Sequence, residues 1–392
     1  MCGIAGFCSL KRCYTDRQSF WENILVSMHE KLIHRGGDAS GIYLTPHAGL
    51  SHQRLSIRDI THGAQPMIRH RDGADYAIVY NGEIYNTDEL IPELTSAGYN
   101  FLTTSDTEVI LYAYMHFGAS FVSRLNGIFS FAIWDGAAKQ LFLYRDRVGT
   151  KPLFYHAKDG ELVFASEPKA LFCFPDLSPA ITENSLRELL AVGPARTPGC
   201  GVFQDIYEVL PGHYLCFDAM GLSDTTYWDL KCLPHTDSYE DTVAHVSFLM
   251  RDTVKRQMIS DVPVCLSGGI DSSIVTALAA AYQREHGEVL NTFSFDFTEN
   301  DIYFKSNAFQ PERDLPYVNC MLEHCKTSHT YLECTQETLA DMLYAAVDAK
   351  DMPGMTDVDA SLLYFCSLVK KQNKVTLTGE CADEIFGGYP WF

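Results

Sequence analysis

Short apolar or alternating runs mark the first 230 residues of the chain. Tyr76–Tyr80, Ile128–Trp134, Gln140–Tyr144 and Leu162–Ala165 have the period or continuous apolarity expected of strands. Helical periods interrupt them at Ser19–Leu32 and Asp106–Phe117. The second opens well: Ser105 or Asp106 precedes Glu108, and Val109, Ile110, Tyr112 and Ala113 form an apolar stripe. Strands mixed irregularly with helices predict an α+β sandwich rather than a regular βαβ wind. The texture changes around Asp229–Ser238, where Leu233-Pro234-His235-Thr236-Asp237-Ser238 reads as a linker. An amphipathic helix follows over Tyr239–Ile259, with Val243, Val246, Met250, Val254 and Met258 on one face. Strands are then predicted at Val262–Leu266, Leu290–Phe295 and Lys374–Leu377. Helices are predicted at Ser272–Arg284, near Leu315–Cys325, at Gln336–Asp348 and at Ala360–Lys371. That alternation predicts an α/β doubly wound parallel sheet. The expected domains are therefore residues 1–230 and 238–392.

Composition narrows the function classes. The chain has 392 residues, 46% hydrophobic and 20% charged, with a formal net charge of −20. So acidic a chain with no basic cluster is not expected to bind nucleic acid. No stretch approaches the ~18 apolar residues of a membrane span. The apolar start ends at Leu10, and Lys11-Arg12 follow it rather than precede it, so no signal peptide is expected. Thirteen cysteines without a C-x-x-C pair point to free thiols in a reducing cytoplasm.

Four features carry chemistry. Cys2 follows the initiator Met. Once Met1 is removed, its thiol is a nucleophile and its own α-amine a base, although a buried structural thiol is the competing reading. Ser267-Gly268-Gly269-Ile270-Asp271-Ser272-Ser273 lies between a strand and a helix, an anion cradle in which Asp271 can hold Mg²⁺. It can also be a structural strand–helix turn. Thr378-Gly379-Glu380-Cys381-Ala382-Asp383-Glu384 has the same placement, so two strand ends are expected to face one crevice. Glu380, Asp383 and Glu384 could bind metal or transfer protons, and such a cluster is also a common solvated helix start. In the first half, Arg54 suits a carboxylate, Glu83 and Asp106 an ammonium, and Asn81 with Gly82 an oxyanion. Asn81-Gly82 taken alone reads as a hairpin turn. His29 and His34 stand five apart and would splay around a helix, so they are no zinc pair; Cys320 and Cys325 read as core.

Taken together and in order, these segments resemble the glutamine-hydrolysing asparagine synthetases. The carriers are Met1–Phe7, His34–Asp38, Arg54-Leu55-Ser56, Asn81–Asn86, Ser105-Asp106, Tyr144–Tyr155, Phe164–Glu167, Leu210–His213, Ser267–Ser273 and Thr378–Tyr389. The resemblance implies an Ntn-hydrolase-type αββα glutaminase domain, then a doubly wound ATP-pyrophosphatase domain (adenine nucleotide α-hydrolase-like). It implies Cys2 as nucleophile, Asn81 and Gly82 as oxyanion hole, Arg54 on the glutamine carboxylate, and Glu83 and Asp106 on its ammonium. Ammonia would travel through an internal tunnel to a site that adenylates aspartate with ATP and Mg²⁺. There Ser267, Gly268, Gly269, Asp271 and Ser272 would hold pyrophosphate and metal. Leu266, Phe295 and Gly379 would line the nucleotide pocket, Asp383 would help hold Mg²⁺, and Glu380 would stand where ammonia meets the adenylate. A homodimer through the N-terminal domain would fit the family. Gly37 stands where the family has Pro, and Thr378, Cys381 and Ala382 vary the second loop with small residues that look tolerable. The family continues beyond Phe392, and the end is rich in aromatics, so the expectation is an intact glutaminase domain and an incomplete synthetase domain.

Overall fold

A computed structural model describes residues 1–193, 195–259, 261–307 and 311–389. Pro390, Trp391 and Phe392, part of the aromatic end noted above, lie outside the described residues. The strands are β1 Gly3–Ser9, β2 Ala39–Leu44, β3 Ala48–Arg54, β4 Met67–Arg71, β5 Ala74–Ile84, β6 Gly127–Asp135, β7 Gln140–Arg145, β8 Phe154–Lys158, β9 Glu161–Ala165, β10 Tyr207–Glu208, β11 His213–Asp218, β12 Gly221–Thr226, β13 Val264–Cys265, β14 Asn291–Phe297 and β15 Ser328–Cys334. The helices are α1 Gln18–Glu30, α2 Thr87–Ser96, α3 Asp106–Phe117, α4 Pro168–Leu171, α5 Glu183–Ala191, α6 Tyr239–Gln257, α7 Ile270–Glu285, α8 Asn300–Tyr303, α9 Leu315–Cys325, α10 Gln336–Lys350, α11 Thr356–Val369 and α12 Ala382–Phe386. The chain divides into two units, Met1–Cys232 and Leu233–Phe392.

In the first unit two six-stranded antiparallel sheets lie face to face, ordered β10-β8-β9-β1-β3-β2 and β12-β11-β7-β6-β5-β4. Side chains alternate across each strand and so sort into layers. On β1, Ile4 and Cys8 point into the space between the sheets with Leu50, Val79, Ala132 and Leu143. Ala5 and Phe7 point the other way, onto Trp21, Leu25 and Met28 of α1. On β5, Ile78 and Tyr80 pack outward against the layer of α2 and α3, which contributes Leu90, Leu94 and Ile110. The result is four layers, αββα. Because β1, β5 and β6 are buried on both faces, they read in sequence as continuous apolar runs rather than clean alternation. Each fully buried Leu, Ile or Phe contributes roughly 2 kcal/mol of hydrophobic stabilisation.

The second unit has a parallel sheet ordered β13-β14-β15, and Leu377 bridges to Val264 on the free side of β13. The expected strand at Lys374–Leu377 is thus reduced to a single bridge, held by Cys265 N donating to Leu377 O at 2.9 Å. Helices cover both faces. Val264 and Leu290 pack with Ala279 and Ala280 of α7 and Cys325 of α9. On the opposite face, Phe295 meets Phe365 of α11 at 5.4 Å. The sequence reading missed β15, whose polar Ser-His-Thr-Tyr start hides a strand paired along its full length with β14. It also overstated the buried face of α6: Val254 and Met258 are buried, whereas Val243 and Val246 are exposed. Cys320 is exposed on α9 rather than in the core; Cys325 is buried.

Candidate functional site

Strand parity assembles the first site. Ala77 and Val79 face the inter-sheet space, so Asn81 and Glu83 continue the same row toward the end of β5. Ala48 and Leu50 do the same for His52 and Arg54 on β3, and Ile4 for Cys2 before β1. His52 Nε2 donates across the layer to Tyr80 O at 3.1 Å and fixes the two strands. Cys2, Arg54, Asn81 and Glu83 therefore converge at one end of the sandwich. The charges of Arg54 and Glu83 both reach the Cys2 thiol. Asn81 and Gly82 are ladder residues of β5, opposite Ser130 and Phe129, and not a hairpin turn. A Cβ at Gly82 would overlap the Ile128 carbonyl oxygen, so close strand approach alone demands glycine there. Asn81 is 1% exposed, and its Nδ2 has no hydrogen-bond partner among the described residues. A buried amide donor left unpaired is costly unless something else accepts from it, and a developing oxyanion is such an acceptor.

Cys2 is half-buried. Leu55 N donates to its Sγ at 3.4 Å, and Arg35 Nε donates to its carbonyl at 2.8 Å. Burial pushes the thiol pKa up, opposed by the Leu55 N–H, the chain's terminal ammonium and Arg54. Arg35 is itself fixed by Glu167 at 2.6 Å. Burial favours protonated Glu167, but hydrogen bonding from His34 and the Arg35 charge outweigh it and hold the carboxyl down at about 2. His34 is thus committed to Glu167, and His29 lies on α1 before it. The His34–Asp38 loop is stitched to β3 by Asp38 N donating to Arg54 O at 3.0 Å and Ser56 N donating to Asp38 Oδ2 at 2.7 Å. Gly37 lies in open space, so this stitching survives the missing Pro.

Glu83 and Asp106 form the electrostatic centre. Asp106 opens α3 on the outer side of the sheet and reaches round the end of β5, where Tyr80 Oη donates to it at 2.8 Å and Ile84 N at 3.2 Å. Burial raises its pKa, with Arg58 acting against the rise. Burial and the Asp106 charge raise that of Glu83, opposed by Arg58 and Lys151. Glu83 Oε2 is buried without a partner among the described residues. Two adjacent carboxyls that resist ionisation are relieved by a ligand cation. Arg54 sits at 6% exposure, its Nη donors on the carbonyls of Ile60, Arg58 and Asp59. A ligand carboxylate there has to share or replace those carbonyl contacts.

The second unit holds a cavity of about 610 Å³ at the carboxyl ends of β13 and β14. Leu266, Ser267, Gly269, Asp271, Ser272, Phe295, Gly379, Glu380 and Asp383 all line it. The two loops touch: a Cβ on Gly379 would stand 2.7 Å from Ser272 N. The chain leaves β13 for α7 on one side and returns at Leu377 on the other, so the crevice is the topological switch point of the sheet. Gly268 lies outside the lining. It has φ +90°, and a Cβ there would press on Asp314 O at 2.9 Å. Ser267 and Ser272 hydroxyls are 3.0 Å apart beside the start of α7. Burial and the neighbouring Asp383 raise the Asp271 pKa. A half-exposed carboxylate pair beside an N–H-rich turn fits a divalent cation that takes its other ligands from phosphate and water. Cys381 has φ +70°, the left-handed region where glycine belongs, so a small side chain is not enough and this departure is strained.

Several site residues escaped sequence reading. Arg58 and Lys151 act on the carboxyl pair from separate loops, and Asp296, Asn300, Asp314 and Phe365 complete the cavity. Asp296 at the carboxyl end of β14 could have been found from the strand-end rule. The others are joined only by packing.

Residues 1–228 match the glutamine amidotransferase domain family and residues 245–392 the asparagine synthase family. Asparagine synthetase (glutamine-hydrolyzing) 3 of Bacillus subtilis is 46% identical across 100% of this chain and 64% of its own length. Asparagine synthetase B (glutamine-hydrolyzing) of Escherichia coli is 31% identical over 100% and 65%. Amidase chyE of Penicillium rubens is 31% identical over 100% and 60%. The chain thus spans less than two thirds of these relatives' lengths. Its first unit is the Ntn-type αββα sandwich and its second the doubly wound domain expected from sequence. With more than half its length matched, the chain belongs to the glutamine amidotransferase domain family and carries an asparagine synthase domain behind it.

Proposed function

We propose that this chain is a glutamine-dependent amidoligase of the cytoplasm that makes asparagine from aspartate. The observation that carries the reading is the convergence of Cys2, orphaned Asn81 Nδ2 and the Glu83–Asp106 pair at one end of the inter-sheet layer. Removal of Met1 frees the α-amine of Cys2. That amine takes the thiol proton, and Sγ attacks the glutamine side-chain carbonyl. Asn81 Nδ2 and the Gly82 N–H donate to the oxyanion. Glu83 and Asp106 hold the substrate ammonium, and Arg54 its carboxylate. The C–N bond breaks, the amine returns its proton to the departing ammonia, and water hydrolyses the thioester.

In the second unit the acceptor carboxylate is made reactive with ATP, whose pyrophosphate leaves from the Ser267–Ser272 cradle. Gly268 would shape that cradle through its left-handed backbone, packed against Asp314, rather than by lining the cavity. Asp271 and Asp383 would hold Mg²⁺, which supplies charge neutralisation to the phosphates. Glu380 faces the cavity where ammonia would meet the activated carboxylate. Association of two chains through the first unit belongs to the same reading. Amidation of another carboxylate is the second reading, favoured by the similarity to an amidase.

The test is glutamate release from glutamine by the purified chain and by Cys2→Ala, followed by pyrophosphate release with ATP, Mg²⁺ and aspartate. Release that falls at least about 10³-fold in Cys2→Ala is expected. Equal release by both chains sinks the glutaminase reading. Pyrophosphate release that ignores aspartate but responds to another carboxylic acid replaces asparagine as product.

A further inference from the structure

The α-amine proposed as base has an ordinary pKa near 8, so near neutral pH much of it is protonated and unable to accept the thiol proton. The surroundings of Met1 contain a remedy. Its ammonium donates to Arg35 O at 3.0 Å, and its thioether lies 3.8 Å from Arg35 Nη2 and 3.5 Å from Lys151 Nζ. Two cations therefore flank the residue that processing removes. They are not equivalent. The Arg35 charge is offset by Glu167 at 2.6 Å. Lys151 has no carboxylate within ion-pair distance among the described residues.

The backbone of Lys151 is fixed: its N–H donates to Asp146 Oδ2 at 3.0 Å, and Arg145 Nε donates to its carbonyl at 3.0 Å. Asp146 itself is occupied by the N–H groups of Phe129, Val148, Thr150 and Lys151. Its carboxylate is thereby spread over four donors. Resting on the glutaminase reading, we propose that Lys151 is a positioning residue whose ammonium keeps the freed Cys2 α-amine neutral. The Lys151 charge reaches Cys2, and a nearby like charge in a half-buried site disfavours the ammonium form of the amine.

The other charges facing this point are Arg35 with Glu167, His34 and Lys169, then Arg54 from β3, Glu83 with Asp106 and Arg58 at the end of β5, and Asp146. Burial and Arg35 lower the pKa of Lys151, with Asp146 and Glu83 acting against them.

The experiment compares wild type, Lys151→Met and Lys151→Arg, each checked by intact mass for loss of Met1 and by thermal midpoint for folding. Glutamate release is measured as kcat/KM against pH. The α-amine is also titrated directly by competitive acetylation with acetic anhydride, read by mass spectrometry. Lys151→Met is expected to move the acid limb and the amine pKa up by about one unit, a roughly tenfold loss at a fixed acid pH. Lys151→Arg is expected to keep the wild-type limb. Coincident limbs and equal labelling pKa values for wild type and Lys151→Met overturn the role of Lys151. Absence of Cys2-dependent release from wild type overturns the glutaminase reading, while the labelling comparison still decides Lys151. A chain that retains Met1 overturns both.

Discussion

In the first unit the candidate site groups stand on or beside paired strands; in the second they stand on turns and first helical turns just past strand ends. Asn81, Glu83 and Arg54 inherit their directions from the pleat, and their backbones are held by neighbours on one or both sides. Asp271 and Asp383 stand in the first turns of α7 and α12 and Glu380 in the turn before α12, all at most half-buried. The first arrangement suits a reaction that needs one thiol, one amide donor and one ammonium subsite fixed together. The second suits a large anionic ligand, because turn N–H groups and half-exposed carboxylates can take up phosphate and hydrated metal. Burial is the deeper difference. It raises the pKa of Glu83 and Asp106, so that a cation placed beside the pair would relieve both.

The largest effect on substrate binding is therefore expected at this carboxyl pair. Glu83→Gln should raise the KM for glutamine by about 10- to 100-fold, roughly 1.4–2.8 kcal/mol, with a smaller change in kcat. Steady-state glutaminase kinetics check this, and an unchanged KM would mean that Asp106 alone holds the ammonium.

Acid should separate the two units next. His52 is buried in the inter-sheet layer, and burial holds its pKa down at about 3, below its unfolded value of 6.5. Between those values the unfolded chain binds the extra proton, so this contribution to stability is present above about pH 6.5 and lost as pH falls. The loss from pH 6.5 to 5 is about 2 kcal/mol in the first unit. Urea unfolding at the two pH values, followed for wild type and His52→Gln, measures it; the variant should show the shallower slope.

The smallest effect lies in the second unit. Cys381→Gly should remove left-handed strain at the start of α12 and raise stability there by about 0.5–1 kcal/mol, after allowing for the greater freedom of glycine in the unfolded chain. Hydrogen exchange over Gly379–Phe386 resolves a change of that size; a loss of protection would show that the Cys381 side chain makes a contribution of its own.

How much was legible from sequence follows the same division. Long apolar strands and the capped α3 were readable because burial on both faces leaves a continuous apolar signal; Ser105 caps α3 through Thr107 N. Asn81-Gly82 misled, because the same dipeptide that favours a tight turn also allows two strands to approach closely. β15 was missed because its first residues are polar, and its pairing with β14 is non-local. Cys381 looked acceptable because size can be read from a residue's identity and φ cannot.

The sequence by itself determined the two textures, the order of the motifs and the chemical kinds of residue available: a cysteine behind Met1, an amide, carboxylates, and two glycine turns behind strands. Tertiary structure alone decided which of them meet. Strand parity turned Cys2, Arg54, Asn81 and Glu83 into one layer, and packing brought Arg58, Asp106 and Lys151 to its edge. Spacing along the chain records local period and turn chemistry. It carries no record of the distance between residues 2, 83 and 151, because that distance is fixed by pairing and packing between segments far apart in sequence.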